Sequence, residues 1–166
     1  MKRYLLAAVL AGSCNFANAE TLQFTDVYYG AGLSSNEADN FDDAAGYQIF
    51  SGYDFGYKLG PFSTAIEAGY MNSGDFDYSR NTSFGPIQFS TEAKGVWASG
   101  HVAYAFAGAF NALGRVGYDF GDDDGVLFGA GVDYRLSNRF ALRAEYIARD
   151  TINSLQFNVV YFPFYQ

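Results

Sequence analysis

The sequence predicts an all-β fold: eight antiparallel strands closed into an up-and-down transmembrane β-barrel. Three observations carry this. Hydrophobicity alternates with a period of two through eight separate segments. The connections between them alternate between compact turns and longer polar stretches, the arrangement of outer-membrane barrels. The chain opens with an export signal and is then rich in Tyr, Phe and Gly, a composition suited to pleated strands with aromatic belts.

The segments are residues 24–34, 46–55, 62–71, 95–106, 113–120, 126–136, 140–149 and 154–164. Most approach the roughly 9–11 residues that a tilted strand needs to cross a bilayer. The sixth sets Val126, Phe128, Ala130, Val132 and Tyr134 against Gly129, Gly131, Asp133 and Arg135. The seventh sets Phe140, Leu142, Ala144 and Tyr146 against Arg143, Glu145 and Arg149, and the fifth sets Val116, Tyr118 and Phe120 against Arg115, Gly117 and Asp119. Compact turns are expected at 56–61, 107–112 and 137–139, and long acidic loops at 35–45 and 72–94. Shorter polar connections are expected at Asp122-Asp123-Asp124-Gly125 and at 150–153. Residues 95–114 carry no formal charge and have the length of a membrane helix. Alanine is their commonest residue, and glycine, His101 and Asn111 interrupt them, so they read as two strands joined by a small-residue turn.

The first nineteen residues read as a cleavable signal peptide. Lys2 and Arg3 precede a short apolar run, and Ala17-Asn18-Ala19 supplies the small residues at the cut, so the mature chain is expected to begin at Glu20. The rival reading is lipoprotein processing at Ala11-Gly12-Ser13-Cys14, a loose match that leaves an unusually short apolar run. Cleavage after Ala19 removes the one cysteine, so no disulfide is expected. Residues 20–166 then form one domain. Without Lys2 and Arg3, 8 basic residues face 18 acidic ones, a net charge of −10. No basic stripe exists to neutralise phosphates, so nucleic acid is not an expected partner. No pattern calls for a cofactor, and none is expected.

Alternation alone does not separate a membrane barrel from a soluble lipid carrier with the faces inverted. The glycines decide. Gly30, Gly32, Gly52, Gly69, Gly117, Gly129 and Gly131 share the register of the charged residues. Eight strands enclose space only just wide enough for side chains, so long Arg and Glu side chains fit inside only beside very small neighbours. A solvent-facing surface has no such need. The polar face is therefore the lumen and the aromatic face meets lipid. The lumen is expected to hold a paired network of Glu67, His101, Arg115, Asp133, Arg135, Arg143 and Glu145, with Glu67 paired to Arg115 or Arg143 across the barrel and with Asp26, Asp54 and Asp119 in the same register. A solid polar plug is favoured over an ion-conducting pore.

Residues 24–33 (FTDVYYGAGL), Glu67-Ala68-Gly69-Tyr70, Arg115-Val116-Gly117-Tyr118, residues 129–136 (GAGVDYRL) and 142–146 (LRAEY) together resemble the OmpA-like/OmpX-like small outer-membrane barrels. The resemblance covers nearly the whole mature chain. It implies an eight-stranded barrel in the bacterial outer membrane with both termini in the periplasm, and members active in adhesion, invasion and serum resistance. Its implied partners are membrane lipid, lipopolysaccharide and, during biogenesis, the barrel-assembly machinery, with the mature barrel a monomer. The tail departs from the family pattern. Asn158 stands where a glycine is common, and Pro163, Tyr165 and Gln166 surround Phe164 where an aromatic carboxy-terminal residue is usual.

Two chemistries compete with a non-enzymatic role. Ser99 and His101, two apart on one strand face, are similar in spacing to the pair of lipid A deacylases, but in reversed order and in the lumen register. A nucleophile also needs an orienting group and oxyanion donors, so a lumen histidine is the better reading. Acidic loop residues Glu37, Asp39, Asp42 and Asp43, then Asp75 and Asp77, then Asp122 to Asp124, suit Ca²⁺ or Mg²⁺ chemically but lack calcium-loop spacing. Asp42, Asp43, Phe76, Tyr78 and Phe84 are the candidate surface contacts; Phe76, Tyr78, Phe84 and Phe89 are aromatics interleaved with polar residues, which suggests either strand extensions above the membrane or a contact surface.

Overall fold

The computed structural model describes residues 27–38, 43–82 and 85–164, with the side chains of 57–58 and 78–89 outside the description. The signal segment, Asp26 and Asp39 lie outside the described residues. Eight strands follow one another: β1 (Val27–Ala38), β2 (Ala44–Leu59), β3 (Phe62–Thr82), β4 (Gly85–Ala107), β5 (Phe110–Asp119), β6 (Gly125–Arg135), β7 (Phe140–Ala148) and β8 (Ile152–Tyr161). Each pairs antiparallel with its sequence neighbour, and β1 pairs with β8, closing the barrel. Closure leaves every spanning strand with two partners, which a strand in hydrocarbon requires. The uncharged stretch from Gly95 to Gly114 is the end of β4 and the start of β5, turning at Gly108, whose φ of 54° favours glycine.

The two faces separate as the alternation predicts. Leu33, Phe128, Phe157, Leu142 and Tyr146 point outward and exposed, whereas Arg115, Arg143 and Glu145 are buried. At the end carrying the short turns, the outward aromatics pair across strands: Phe62–Tyr104 at 5.5 Å between ring centroids, Phe110–Tyr134 at 4.7 Å and Phe140–Tyr161 at 5.1 Å. This is half of the aromatic girdle that marks a membrane interface.

Inside, large side chains sit opposite glycines of the neighbouring strand. Gly30 and Gly69 flank Phe50, Gly52 stands between Tyr28 and Glu67, Gly129 faces Arg115, and Gly131 faces Glu145. A Cβ on Gly30 would lie 2.1 Å from the Phe50 ring, and one on Gly52 2.1 Å from the Tyr28 ring. The lumen is thus filled by a large–small code between strands. At Gly131 an added Cβ meets the Ala144 carbonyl oxygen at 2.2 Å and Glu145 Cγ at 2.7 Å, so backbone has to move. Gly131→Ala is expected to cost about 1–3 kcal/mol, the range for overpacking. Denaturant unfolding in a defined detergent checks this; unchanged stability would mean the lumen is loosely packed.

The structure differs from the sequence expectation mainly at the end away from the short turns. Residues 35–38, 44–45, 72–82 and 85–94 are strand rather than loop. β3 and β4 pair out to Thr82↔Gly85, whereas β2 leaves β3 at Asn72. On the other side the last bonds to β4 are Phe120 N to Val96 O and Asp122 N to Lys94 O. Beyond them β3 and β4 run on as a two-stranded ribbon of roughly 25 Å, at about 3.4 Å per residue. A bulge between Asn72 and Asp75, with Gly74 at φ 76°, starts the ribbon. One extra residue reverses which face each later side chain occupies. Phe76 therefore turns inward and is buried with Ala44 and Ile152, correcting its reading as a surface contact. At the chain's other end β8 stops at Tyr161, short of the expected 164, and Phe162 continues the inward register against Tyr28 at 5.3 Å.

Candidate functional site: the lumen network and the outer cleft

The centre of the lumen is built by side chains from five strands. Glu67 of β3 stands between Gly52 and Ser99, two small neighbours that leave room for arginines to reach it. Arg115 Nη2 of β5 donates to Glu67 Oε2 at 2.6 Å and to Glu145 Oε2 at 2.8 Å. Arg143 of β7 donates through Nη1 to Glu67 Oε1 at 2.6 Å and through Nε to Asp133 Oδ1 at 2.9 Å. The Tyr28 hydroxyl donates to Glu67 Oε1 at 2.7 Å. Glu67 is thus the hub, holding two guanidinium groups and a phenol. Aromatic rings wall the hub: Arg115 lies 5.1 Å from the Trp97 ring centroid and Arg143 5.5 Å from that of Phe50.

Further polar layers flank this centre. Towards the ribbon, Arg149 Nε bonds Asp119 Oδ2 at 3.0 Å and Arg149 Nη1 bonds Ser154 Oγ at 2.9 Å. Gln48 Nε2 donates to Gln156 Oε1 at 2.7 Å and to Asn158 Oδ1 at 2.8 Å. Towards the short turns, Arg135 stacks 4.1 Å from the Phe162 ring rather than joining the central carboxylates through a direct ion pair among the described residues. Asp54 is half-buried and accepts from Gly56 N at 2.8 Å near the turn, outside the network. Sequence reasoning passed over Tyr28, Gln48 and Gln156, and it set Asp119 and Arg149 on the polar face without pairing them. Their even spacing with Gly30, Gly52, Asn158 and Arg115 placed them on the inner face and was the available signal.

His101 and Ser99 both point into the lumen and are buried. Neither Ser99 Oγ nor His101 Nε2 finds a hydrogen-bond partner among the described residues, so the two do not bond one another. The nucleophile–base contact that acyl transfer needs is not made.

Of the surface candidates, Asp43 is exposed beside the start of β2, while Asp42 and Phe84 lie outside the described residues. Tyr78 has a described backbone in β3, pairing with Phe89, but neither side chain is described. The acidic loops do not converge: among the described residues no group of three His, Cys, Asp or Glu is placed to hold a metal ion.

A cleft of about 480 Å³ opens where the ribbon leaves the barrel, lined by Phe76, Ala93, Ile152, Glu37 and Asp150 among others. Lys94 and Glu92 form an exposed ion pair at its edge. The hydrogen bond from Lys94 holds the Glu92 carboxyl below its ordinary pKa, and the same bond raises that of the Lys94 ammonium.

The closed barrel, the outward apolar band and the charged interior converge on one class, and the family comparison matches it. Residues 5–162 match the model of the outer membrane protein β-barrel domain. The chain belongs to that family. This places it in the bacterial outer membrane. No curated protein sequence matches the chain. Among solved structures, a de novo designed transmembrane β-barrel aligns with a TM-score of 0.57 at 16% identity, covering 81% of this chain and 92% of its own. The Yersinia pestis outer membrane protein Ail, in a phospholipid nanodisc, aligns with a TM-score of 0.55 at 11% identity, covering 81% and 97%. A second designed barrel, TMB2.3, gives 0.52 at 17% identity, covering 81% and 93%. Designed barrels fit this family member as well as a natural one does, so the likeness shows the fold and no more.

Proposed function

We propose that this chain is a non-enzymatic, closed outer-membrane barrel whose work is surface contact of the adhesion or resistance type, made through the β3–β4 ribbon. The observation that carries this reading is the contrast between the two halves of the molecule. The lumen is occupied by a hub of buried ion pairs walled by Phe50 and Trp97. The ribbon, beyond Asn72 on one side and Lys94 on the other, has two edges with no strand partner among the described residues. An unpaired strand edge presents a row of free N–H and C=O groups, the usual template for pairing with another chain. Short turns and termini then face the periplasm, and the ribbon faces outward. The mature monomer begins at Glu20 after signal cleavage, is inserted by the assembly machinery and is surrounded by phospholipid and lipopolysaccharide. It takes no cofactor.

Two measurements test this. With Thr91 replaced by Cys, an impermeant maleimide is expected to label intact cells, and amino-terminal sequencing of the outer-membrane fraction is expected to start at Glu20. Replacing residues 78–89 by a short Gly-Ser turn is expected to leave the barrel folded while abolishing attachment to surfaces or tolerance of serum. Thr91→Cys protected in intact cells, or attachment and tolerance both unchanged by the shortened ribbon, would overturn the proposal. So would steady single-channel conductance of the purified protein in planar bilayers.

A further inference from the structure

We infer that the cleft at the ribbon's base is a docking site for a cationic amphipathic peptide segment, one that sets a basic side chain beside an apolar one. This rests on the outward placement of the ribbon end. The floor is apolar: Phe76 and Ile152 are buried there with Ala44, and Ala38 and Ala93 pack against them. The rim carries four carboxylates, Glu37, Glu92, Asp122 and Asp150, and among the described residues no basic side chain lines the cleft. Its volume of about 480 Å³ lies within the roughly 300–1,000 Å³ of ordinary ligand pockets.

The state of those carboxylates decides the occupant. Glu92 is committed to Lys94 and to Asn72 Nδ2 at 3.3 Å, and Asp122 Oδ2 accepts from Lys94 N at 3.1 Å. Glu37 and Asp150 form no ion pair or side-chain hydrogen bond among the described residues. They come from different elements, the end of β1 and the β7–β8 connection. The carboxylates border a wide volume rather than meeting at one point, and among the described residues no metal-holding group forms. A small hard cation needs converging oxygens at about 2.3–2.6 Å, which this rim does not offer. An ammonium or guanidinium on a flexible stem reaches separate carboxylates and lays its methylenes on the floor.

The walls are held in place before anything binds. Asp123, buried beneath the rim, accepts from Thr151 N at 3.1 Å, from Ile152 N at 3.1 Å and from the Thr151 hydroxyl. This fixes the loop that carries Asp150. On the opposite wall Ser73 Oγ accepts from Ala93 N at 2.8 Å, and Asn36 Nδ2 donates to Ser73 O at 2.7 Å. A fixed site loses less ordering entropy when it captures a peptide.

The test uses the mature protein in nanodiscs of zwitterionic lipid, where both ends are accessible. The probe is a fluorescent peptide, Gly-Lys-Phe-Arg-Gly, with two controls: Gly-Lys-Gly-Arg-Gly and Gly-Glu-Phe-Glu-Gly. The first is expected to bind saturably at one site, the phenylalanine-free control at least tenfold more weakly, and the acidic control not at all. Glu37→Gln combined with Asp150→Asn is expected to weaken binding at least tenfold. Ala93→Trp, which fills the cleft while keeping the charge, is expected to do the same; folding of each variant is read from its heat-dependent gel mobility. Equal binding by the wild-type and the double variant would overturn the proposal, as would equal binding of the phenylalanine-free control or a saturable one-to-one calcium titration. Failure to bind with Thr91→Cys still labelled on whole cells removes the cleft alone. Shielding of Thr91→Cys removes the outward placement beneath it.

Discussion

Replacing Glu67 by Ala is expected to destabilise the folded barrel by about 3–5 kcal/mol, the cost of breaking a buried ion pair by removing one partner. Three donors lose their acceptor at once: Arg115 Nη2, Arg143 Nη1 and the Tyr28 hydroxyl. Two of these are guanidinium groups in a buried layer, where water is not free to replace the lost carboxylate. Part of the loss is offset, because Arg115 keeps Glu145 at 2.8 Å and Arg143 keeps Asp133 at 2.9 Å. That residual pairing makes the opposite substitution the harsher one. Arg143→Met leaves Glu67 and Glu145 sharing Arg115 and takes from Asp133 its guanidinium partner, and is expected to cost at least as much as Glu67→Ala. Tyr28→Phe removes a neutral donor and is expected to cost only about 1–3 kcal/mol. Denaturant unfolding in a defined detergent ranks the three. A Glu67→Ala change too small to resolve would mean that the lumen is wet and its charges independently solvated.

Much of this arrangement was legible in the sequence, because a strand has only two faces. Once Gly129 and Gly131 fall in register with Asp133 and Arg135, the small and the charged must share the inside. The partners within that face were legible only as a pairing of Glu67 with one of the two arginines, not as a hub that holds both. Glu67 meets Arg115 and Arg143 because of the stagger between β3, β5 and β7, and no local pattern encodes a stagger. The ribbon was read as loop, with strand extension only one alternative for its aromatics, for a different reason. Beyond the barrel both faces of a strand meet water, so residues 77–92 lose the one-sided alternation that marks a spanning strand. Phe76 was misplaced by the bulge at Gly74, one inserted residue that flips the parity. Asn72-Ser73-Gly74 is a turn-like signal inside a strand, and read as a bulge it would have put Phe76 inside. The cleft was beyond reach, since Glu37, Ala93 and Asp150 come together only through closure of the barrel.

The assignment of the faces underlies all of this, and Leu142 tests it. Leu142 points outward from β7 beside Tyr134 and Val159, its strand neighbours, while Arg143 next to it is buried. Leu142→Arg is expected to destabilise the barrel, by less than the roughly 2–4 kcal/mol of a cation at mid-bilayer, because Leu142 pairs with Tyr134 of the aromatic girdle. Stability alone does not discriminate, because a soluble barrel with inverted faces would also lose a core leucine. Labelling does. Cys14 lies in the segment expected to be removed, so single cysteines placed in the mature chain stand alone. In vesicles, Leu142→Cys and Tyr146→Cys are expected to react with a lipid-soluble maleimide and to resist a water-soluble, impermeant one. Ser99→Cys, nearly isosteric and buried in the lumen, is expected to resist both. Thr91→Cys, on the ribbon, is expected to react with the water-soluble reagent. Fast reaction of Ser99→Cys with the water-soluble reagent, with Leu142→Cys silent to both, would invert the faces.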